Sequence, residues 1–268
     1  MAAAPTFAQR LRSAIDAAGS LLCVGLDPDI TEHPDAAAAE RFCQRMLDET
    51  LVYACAVKPN LAFFEQHGSP GWAILERLRA RVPADRILIL DGKRGDIGST
   101  AAAYARALFD VLGADAVTVN PLMGRDAVAP FLEREGRGVF LVTRSSNPGA
   151  ADLFEQPVGS TGGALYQRIV ELGLAWDPGG AVGYVVGATA PEAIARVRGA
   201  APAAPILAPG VGSQGGALED SVAAGLDVHG GGLLISVSRG IGSGSATYAD
   251  AARQLRDRIE AARAAVAA

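Results

Sequence analysis

Eight short apolar segments alternate with stretches of helical pattern along this chain of 268 residues. The segments are residues 21–26, 53–57, 87–90, 116–119, 138–142, 183–186, 205–208 and 233–237. Short, continuously apolar segments are typical of strands buried on both faces, and strands that alternate with helices form parallel sheets. Eight such units in about 250 residues predict a (β/α)8 barrel, an α/β fold that we expect to form a single domain over residues 1–268.

A further helix is predicted before the first strand, over Phe7–Ala18. Apolar residues recur there at helical spacing, Thr6 is a suitable N-cap and Gly19 is a suitable C-terminal end. The alternative to a barrel is an open, doubly wound sheet, which would carry a glycine fingerprint after the first strand. The residues at that place, Asp27-Pro28-Asp29, do not form one, so the barrel is favoured.

Composition limits the classes of partner. The net charge is −5 and acids and bases are interspersed, so we expect a small-molecule ligand and neither nucleic acid nor a membrane surface. No apolar run approaches membrane-spanning length, and the N-terminal residues lack the features of a signal peptide, which predicts a cytoplasmic protein. Cys23, Cys43 and Cys55 show no CxxC spacing and are predicted to be core residues in a reducing compartment.

The third apolar segment leads directly into alternating acids and bases. Asp91 and Lys93 are two residues apart and would point the same way on a strand, whereas Asp96 follows a glycine and need not share their face. Of the 24 Lys and Arg residues, only Lys58 and Lys93 are lysines. An ammonium can give up a proton and a guanidinium cannot, so the two lysines indicate chemistry; the alternative is a solvated ion pair.

The ends of the first three predicted strands carry Asp27, Lys58, Asp91 and Lys93. In a barrel these ends meet at one mouth, where active sites form. Two acids and two bases in one mouth would couple their ionisation and tune a lysine for proton transfer; a solvated ring of salt bridges is the alternative. No metal-ligand spacing is present, and the three histidines are isolated, so we expect no metal site. The three histidines are His33, His67 and His229.

The loops after the last two predicted strands are suited to an anion. They read Pro-Gly-Val-Gly-Ser-Gln-Gly-Gly over 209–216 and Ser-Arg-Gly-Ile-Gly over 238–242. Glycines let backbone N–H groups approach an anion closely, and Arg239 offers a bidentate charge. In (β/α)8 barrels the phosphate site is often formed by these two loops; the alternative is that they are only tight turns with a surface charge.

The motif Asp91-Gly-Lys93-Arg-Gly-Asp96-Ile97, placed in such a barrel, resembles the signature of the orotidine 5′-phosphate decarboxylase family. Five further segments resemble the longer bacterial, type 2 subgroup of that family. They are Gly25-Leu-Asp27-Pro-Asp, Val57-Lys58-Pro-Asn, Ser146-Asn-Pro-Gly, Pro209-Gly-Val-Gly-Ser-Gln214 and Val237-Ser-Arg239-Gly-Ile. The chain differs from the commoner short forms in its extended 149–180 connection and in the Arg-Gly between Lys93 and Asp96.

This resemblance implies cofactor-independent decarboxylation of orotidine 5′-phosphate to uridine 5′-phosphate, the last step of UMP biosynthesis. It also implies a cytoplasmic homodimer with shared active sites and no metal. Lys93 would be the proton donor and Asp91 the carboxylate beside the departing group, while Asp27 and Lys58 would bind ribose hydroxyls. Lys58 would also complete the charged network, and it would be catalytic together with Asp96 from the second subunit. The remaining implied contacts are Ile97 and Thr100 from the second subunit, Ser146 on the pyrimidine, Gln214 and Arg239 on the phosphate, and Pro209 and Ser238 elsewhere on the substrate.

Three other functions fit parts of the pattern. A metal-dependent sugar-phosphate decarboxylase or aldolase of the same superfamily would place an acid where Lys58 stands, because the metal needs it. A Schiff-base aldolase could use a barrel lysine, but Asp91 would keep Lys93 charged and poorly nucleophilic. A non-catalytic nucleotide-binding barrel would keep Gln214 and Arg239 but has no need of Lys93.

Overall fold

Eight parallel strands close into a barrel in the computed structural model, which describes residues 4–159, 162–177, 179–212, 216–242 and 247–267. The strands are β1 (Leu22–Leu26), β2 (Ala56–Pro59), β3 (Ile87–Arg94), β4 (Ala116–Val119), β5 (Gly138–Arg144), β6 (Val182–Val186), β7 (Ile206–Pro209) and β8 (Leu233–Val237). Each strand pairs with its neighbours in chain order, and β1 closes the barrel by pairing with β8. The predicted (β/α)8 fold is confirmed, and the open sheet is excluded.

One helix precedes β1, and the other helices follow the strands in turn. They are α1 (Phe7–Ala18), α2 (Ala36–Thr50), α3 (Ala62–Glu65), α4 (Ser69–Arg81), α5 (Gly98–Ala105), α6 (Arg125–Leu132), α7 (Leu165–Trp176), α8 (Pro191–Ala200), α9 (Leu218–Gly225), α10 (Arg239–Gly242) and α11 (Tyr248–Ala267). The predicted extra helix is α1: the Thr6 hydroxyl accepts the backbone N–H of Gln9, and Gly19 ends the helix with φ +54°. No helix in the described ranges is both long and apolar enough to cross a membrane.

Two strands differ from their predicted bounds in ways that matter for the site. The second strand was expected over 53–57, but Leu51–Tyr53 completes a 3-10 turn and β2 begins at Ala56, so Lys58 lies within the strand. The apolar run is continuous there, and its pattern does not distinguish a helical turn from a strand. The third strand was expected to stop at Leu90, but β3 continues through Arg94, which pairs with Val119.

The segment between β5 and α7 contains its own small structure. A 3-10 turn over Pro148–Asp152 is followed by two antiparallel strands of two residues each, Pro157–Val158 and Gly163–Ala164. Arg144, the last residue of β5, forms an ion pair with Glu155 at 2.7 Å. The extended connection therefore folds back against the strand that it leaves.

The end of the barrel where the strands begin is closed by α1 and by buried charge. Phe7 packs edge-on against Phe140 with ring centroids 5.7 Å apart. Asp115, which is 3% exposed and precedes β4, accepts hydrogen bonds from three guanidinium groups. They belong to Arg10, Arg79 and Arg137. Because these arginines come from different elements, the carboxylate ties α1, α4 and the start of β5 together.

Candidate active site

A buried carboxylate stands between two ammonium groups at the carboxyl ends of β2 and β3. Lys58 Nζ donates to Asp91 Oδ2 at 2.9 Å, and Lys93 Nζ donates to Asp91 Oδ1 at 2.7 Å. The Lys58 and Asp91 side chains are 7% and 9% exposed, whereas that of Lys93 is 47% exposed. In this trio of Lys58, Asp91 and Lys93, Lys93 is therefore the member whose side chain is exposed at the mouth.

The two buried members of the trio, Lys58 and Asp91, keep each other ionised. Burial by itself would raise the pKa of Asp91, but the charges of Lys58 and Lys93 outweigh it and hold this pKa well below its usual range. Burial would lower the pKa of Lys58, but Asp91 and Asp27 reverse the effect and raise it above its usual range. Asp91 and Lys58 are therefore ionised at neutral pH.

Lys93 has an unusual backbone. Its φ of +44° makes it the one non-glycine residue with positive φ in the described ranges. Such conformations cost roughly 1–3 kcal/mol and tend to occur at functional sites. The cause is local: between two pairings with β4, β3 advances from Leu90 to Arg94 while β4 advances only from Val117 to Val119.

The contact between Asp91 and Lys93 therefore does not arise as the sequence pattern suggested. Strand alternation predicts that the two side chains share a face, but the register shift breaks regular alternation at this point. The left-handed backbone of Lys93 returns its side chain to Asp91 instead. The predicted proximity holds, and its physical reason is different.

Thr118 is a site residue that the sequence pattern did not single out. It lies on β4 and is 1% exposed. Its hydroxyl donates to Asp91 Oδ1 at 2.8 Å and accepts the backbone N–H of Lys93 at 2.8 Å. The signal in the sequence is a single polar residue inside the apolar run Ala116–Val119, which is weak because threonine is common in strands.

Asp27, at the end of β1, lines a cavity of about 360 Å³. Its Oδ1 atom is buried and makes no hydrogen bond to any described residue. Asn60, Ser238 and Arg239 line the same cavity. Since a buried polar atom normally has a partner, this oxygen is suited to a ligand hydroxyl.

The predicted anion site is described in part. Pro209 is the last residue of β7, and Gly210 and Gly212 follow it with φ of +99° and +76°. Arg239 is exposed and opens α10, directly after Ser238 at the end of β8. Gln214 lies outside the described residues.

Ser146 lies on the other side of the mouth, in the loop after β5. It is half-buried and lines a second cavity, of about 480 Å³, with Arg144 and Thr189. Thr189 donates to the Ser146 carbonyl at 3.2 Å and accepts from Arg144 at 3.0 Å. Gly187 allows this approach, because a Cβ there would lie 2.6 Å from Ser146 Cα.

The structure does not bring Asp96, Ile97 and Thr100 into the trio of their own chain. Asp96 Oδ1 accepts the backbone N–H of Ile97 at 2.8 Å, and no hydrogen bond among described residues joins Asp96 to the lysines. Ile97 is 54% exposed, and Leu122 and Met123 are 46% and 49% exposed. The segment after β3 therefore exposes Ile97, and the turn after β4 exposes two further apolar side chains.

Other reactive groups in the described ranges are dispersed. No group of three or more His, Cys, Asp or Glu side chains there could hold a metal ion. His33, His67 and His229 lie in turns, as expected. Burial raises the pKa of the Cys23 thiol to about 12, and Cys43 and Cys55 are also buried.

Comparison with known proteins identifies the family. Residues 20–255 match the model of the family described as Orotidine 5′-phosphate decarboxylase / HUMPS. The chain belongs to this family. The resemblance of the Asp-Gly-Lys motif and its neighbours to the decarboxylase family is thereby confirmed.

Relatives within the decarboxylase family match nearly the whole chain. The orotidine 5′-phosphate decarboxylase of Thermomicrobium roseum is 46% identical over 274 residues, covering 98% of each chain. That of Roseiflexus castenholzii is 50% identical over 262 residues, covering 92% of this chain and 94% of the relative. The structure of the Leishmania donovani OMP decarboxylase matches with a TM-score of 0.88 and 42% identity, covering 97% of this chain and 99% of that one.

Proposed function

We propose that the protein decarboxylates orotidine 5′-phosphate to uridine 5′-phosphate, the last step of UMP biosynthesis, without a cofactor. The observation that carries this proposal is the buried Asp91 carboxylate held between two ammonium groups, with the Lys93 side chain exposed at the mouth. Relatives that match more than nine-tenths of the chain and bear the decarboxylase name support the same reaction.

Lys93 would supply the proton in this reaction. The bond between the pyrimidine ring and its carboxylate breaks, carbon dioxide leaves, and the electron pair remains on the ring carbon. A positioned ammonium stabilises that negative charge and then transfers a proton to the same carbon. Lys93 is suited to both tasks because its side chain is half exposed while its backbone is fixed. Solvent would return the proton to the amine.

Asp91 would act on the departing group. Because Lys58 and Lys93 hold its pKa below the usual range, it stays ionised next to the substrate carboxylate. The two negative charges repel each other, and the repulsion ends when carbon dioxide leaves. Lys58 would complete the charged network and contact a ribose hydroxyl together with Asp27, whose Oδ1 has no described partner.

The rest of the substrate would be held at a distance from the reacting carbon. Arg239, Gln214 and the glycines after β7 would bind the phosphate, and Ser146 would contact the pyrimidine. Pro209 and Ser238 would form further substrate contacts. Binding energy from such remote groups can be used to hold the reacting carbon against Lys93.

We infer that the protein is a homodimer in which each site is shared. The segment after β3 supports this inference, because Asp96 has no hydrogen bond to the trio of its own chain within the described residues and Ile97 projects outward. The exposed Leu122 and Met123 side chains add apolar area near the end of β4, the strand that pairs with β3. In a two-fold dimer this segment would supply Asp96, Ile97 and Thr100 to the partner. We also propose a single domain over residues 1–268 and a cytoplasmic location.

Two rival functions remain distinguishable. A metal-dependent sugar-phosphate enzyme would need an acid at Lys58, which here donates to Asp91 at 2.9 Å and would repel a divalent cation. A non-catalytic nucleotide-binding barrel would not need a lysine in a left-handed conformation, which is costly to maintain.

The test is an absorbance assay for the loss of orotidine 5′-phosphate by the purified protein in chelator, with carbon dioxide trapped and counted. We expect stoichiometric release of carbon dioxide in chelator, and none from the Lys93→Ala variant. Turnover that disappears in chelator would support the metal-dependent rival. Nucleotide binding without any turnover would support the non-catalytic barrel.

A further inference from the structure

Thr118 connects two atoms that belong to different parts of the trio. Its hydroxyl accepts the backbone N–H of Lys93 at 2.8 Å and donates its proton to Asp91 Oδ1 at 2.8 Å. The same oxygen accepts the Lys93 ammonium at 2.7 Å. A closed ring of hydrogen bonds therefore runs from the Lys93 backbone through Thr118 and Asp91 to the Lys93 side chain.

This ring leaves little freedom to the carboxylate. Asp91 Oδ1 accepts from Thr118 and Lys93, while Asp91 Oδ2 accepts from Lys58 at 2.9 Å. Both carboxylate oxygens are occupied, and the threonine hydroxyl uses its single proton on one of them. Rotation of the Asp91 carboxyl group would break bonds to all three partners.

The ring also lies where the backbone is strained. Lys93 has φ +44° at the register shift between β3 and β4, and Thr118 is on β4 opposite that shift. The Thr118 hydroxyl accepts the backbone N–H of Lys93 at this shift and so stabilises the left-handed conformation. Thr118 is 1% exposed, so water does not substitute readily for its hydroxyl.

We propose that Thr118 is a positioning residue, whose hydroxyl fixes the left-handed backbone of Lys93 and orients Asp91 so that the ammonium faces the reacting carbon. This inference rests on the decarboxylase function proposed above. Thr118 does not touch the reacting atoms itself. It acts by removing alternative positions of Lys93, and displacement of a catalytic group by about 1 Å can cost about 100-fold in rate.

Two substitutions separate this role from packing. Thr118→Val keeps the volume and removes the hydroxyl, whereas Thr118→Ser keeps the hydroxyl and removes a methyl group. If Thr118 only fills the barrel, Ser is the more damaging change, because it leaves a cavity. If the hydroxyl positions Lys93, Val is the more damaging change. Thr143→Val is a matched control, since Thr143 is also buried and its hydroxyl donates to the Leu141 carbonyl on β5.

The experiment measures kcat and KM for orotidine 5′-phosphate in the wild type and these three variants. We expect Thr118→Val to lose about 100-fold in kcat with little change in KM, and Thr118→Ser and Thr143→Val to stay within a few-fold of the wild type. A wild-type kcat in Thr118→Val, or an equal loss in Thr118→Ser, would overturn the proposal. If Thr118→Val does not fold, Thr118→Ala replaces it, since alanine also lacks a hydrogen-bonding group, and a wild-type kcat there has the same meaning.

A second readout does not depend on activity. Crystal structures of the wild type and Thr118→Val give φ at residue 93 and the distance from Lys93 Nζ to Asp91. We expect the variant to lose the left-handed backbone or the 2.7 Å contact. If the wild type shows no turnover, the proposed function fails, and these structures still decide whether Thr118 positions Lys93. Unchanged φ and distance would overturn that role.

Discussion

The Lys93 ammonium lies 2.7 Å from Asp91 Oδ1, although only Gly92 separates the two residues and the backbone turns left-handed at the lysine. A side chain at Gly92 would have to displace the Leu61 side chain, because its Cβ would lie 2.6 Å from it. The close contact at Gly92 and the left-handed backbone at Lys93 both occur in the last residues of β3, at the barrel mouth. The backbone of Lys93 is held by its hydrogen bond to Thr118, and its side chain is half exposed.

Lys93→Ala should abolish decarboxylation and leave the barrel folded. The substitution removes the proton donor, whereas Asp91 keeps its bonds to Lys58 and Thr118. Lys93→Arg should fail as well, because a guanidinium keeps the charge and does not give up a proton. Steady-state turnover and circular dichroism of both variants test this. Near-native turnover in either variant would exclude Lys93 as the donor.

Lys93→Gly should be more stable than Lys93→Ala by about 1 kcal/mol, since glycine adopts positive φ without the Cβ penalty. Both variants lack the ammonium, so the comparison isolates the backbone. Urea unfolding of the two proteins gives the difference in the free energy of unfolding. Equal stabilities would show that the conformation at this residue is not strained.

Arg239→Ala should raise KM strongly for the nucleotide. Arg239 is exposed and lines the same cavity as Asp27, where its guanidinium would pair with the substrate phosphate. Orotidine, which lacks the phosphate, is the diagnostic substrate: its kcat/KM should change little. Arg258→Ala is the control, because Arg258 is an exposed arginine whose ion pair is with another exposed side chain, that of Glu219. An equal loss for orotidine and for the nucleotide would rule out phosphate binding by Arg239.

The stability that the ionised Asp91 contributes should be lost in acid. Burial would raise its pKa, but Lys58 and Lys93 lower it below the ordinary value of 3.8. In acid the unfolded chain therefore binds a proton at Asp91 that the folded chain does not. The contribution of Asp91 to the free energy of unfolding is complete above pH 3.8 and is lost as the pH falls through the pKa of Asp91 in the folded protein. Between about pH 5 and pH 2 the free energy of unfolding should fall more steeply in the wild type than in Asp91→Asn. Parallel pH curves from urea unfolding would contradict this.

Shared sites should allow two inactive chains to restore activity. Lys93→Ala and Asp96→Ala would pair so that one site of the mixed dimer carries both defects and the other carries none. Random exchange makes about half of the dimers mixed, so about a quarter of the wild-type activity should return.

The matched control mixes Lys93→Ala with Asp91→Asn, two defects on the same side of the site. Every site of that mixed dimer keeps one defect, so no activity should return. Exchange of subunits can be followed by native mass spectrometry. Exchange without recovery in the first mixture would mean that Asp96 does not serve the partner's site.

The barrel was predictable from sequence because burial on both faces leaves a plain signature, eight continuous apolar runs. The candidate site was predictable in part: the residue types and strand ends predicted that Lys58, Asp91 and Lys93 meet at one mouth, and the three side chains are in contact. The register shift was not, because it depends on how β3 pairs with β4 and not on either sequence alone. Thr118 was missed for the same reason, since its role exists only through two contacts across strands.

The sparing use of lysine has a practical consequence. The chain has two lysines, and Lys58 is 7% exposed whereas Lys93 is 47% exposed. An acylating reagent reacts with the free amine, so at alkaline pH it would find one exposed lysine in the folded protein, at the mouth of the barrel. Lys93 can therefore serve as a labelling site at the place where the proposed chemistry occurs. Mass spectrometry of the peptide that contains Lys93 would show the added mass when the mouth is open and its loss when a ligand fills the mouth.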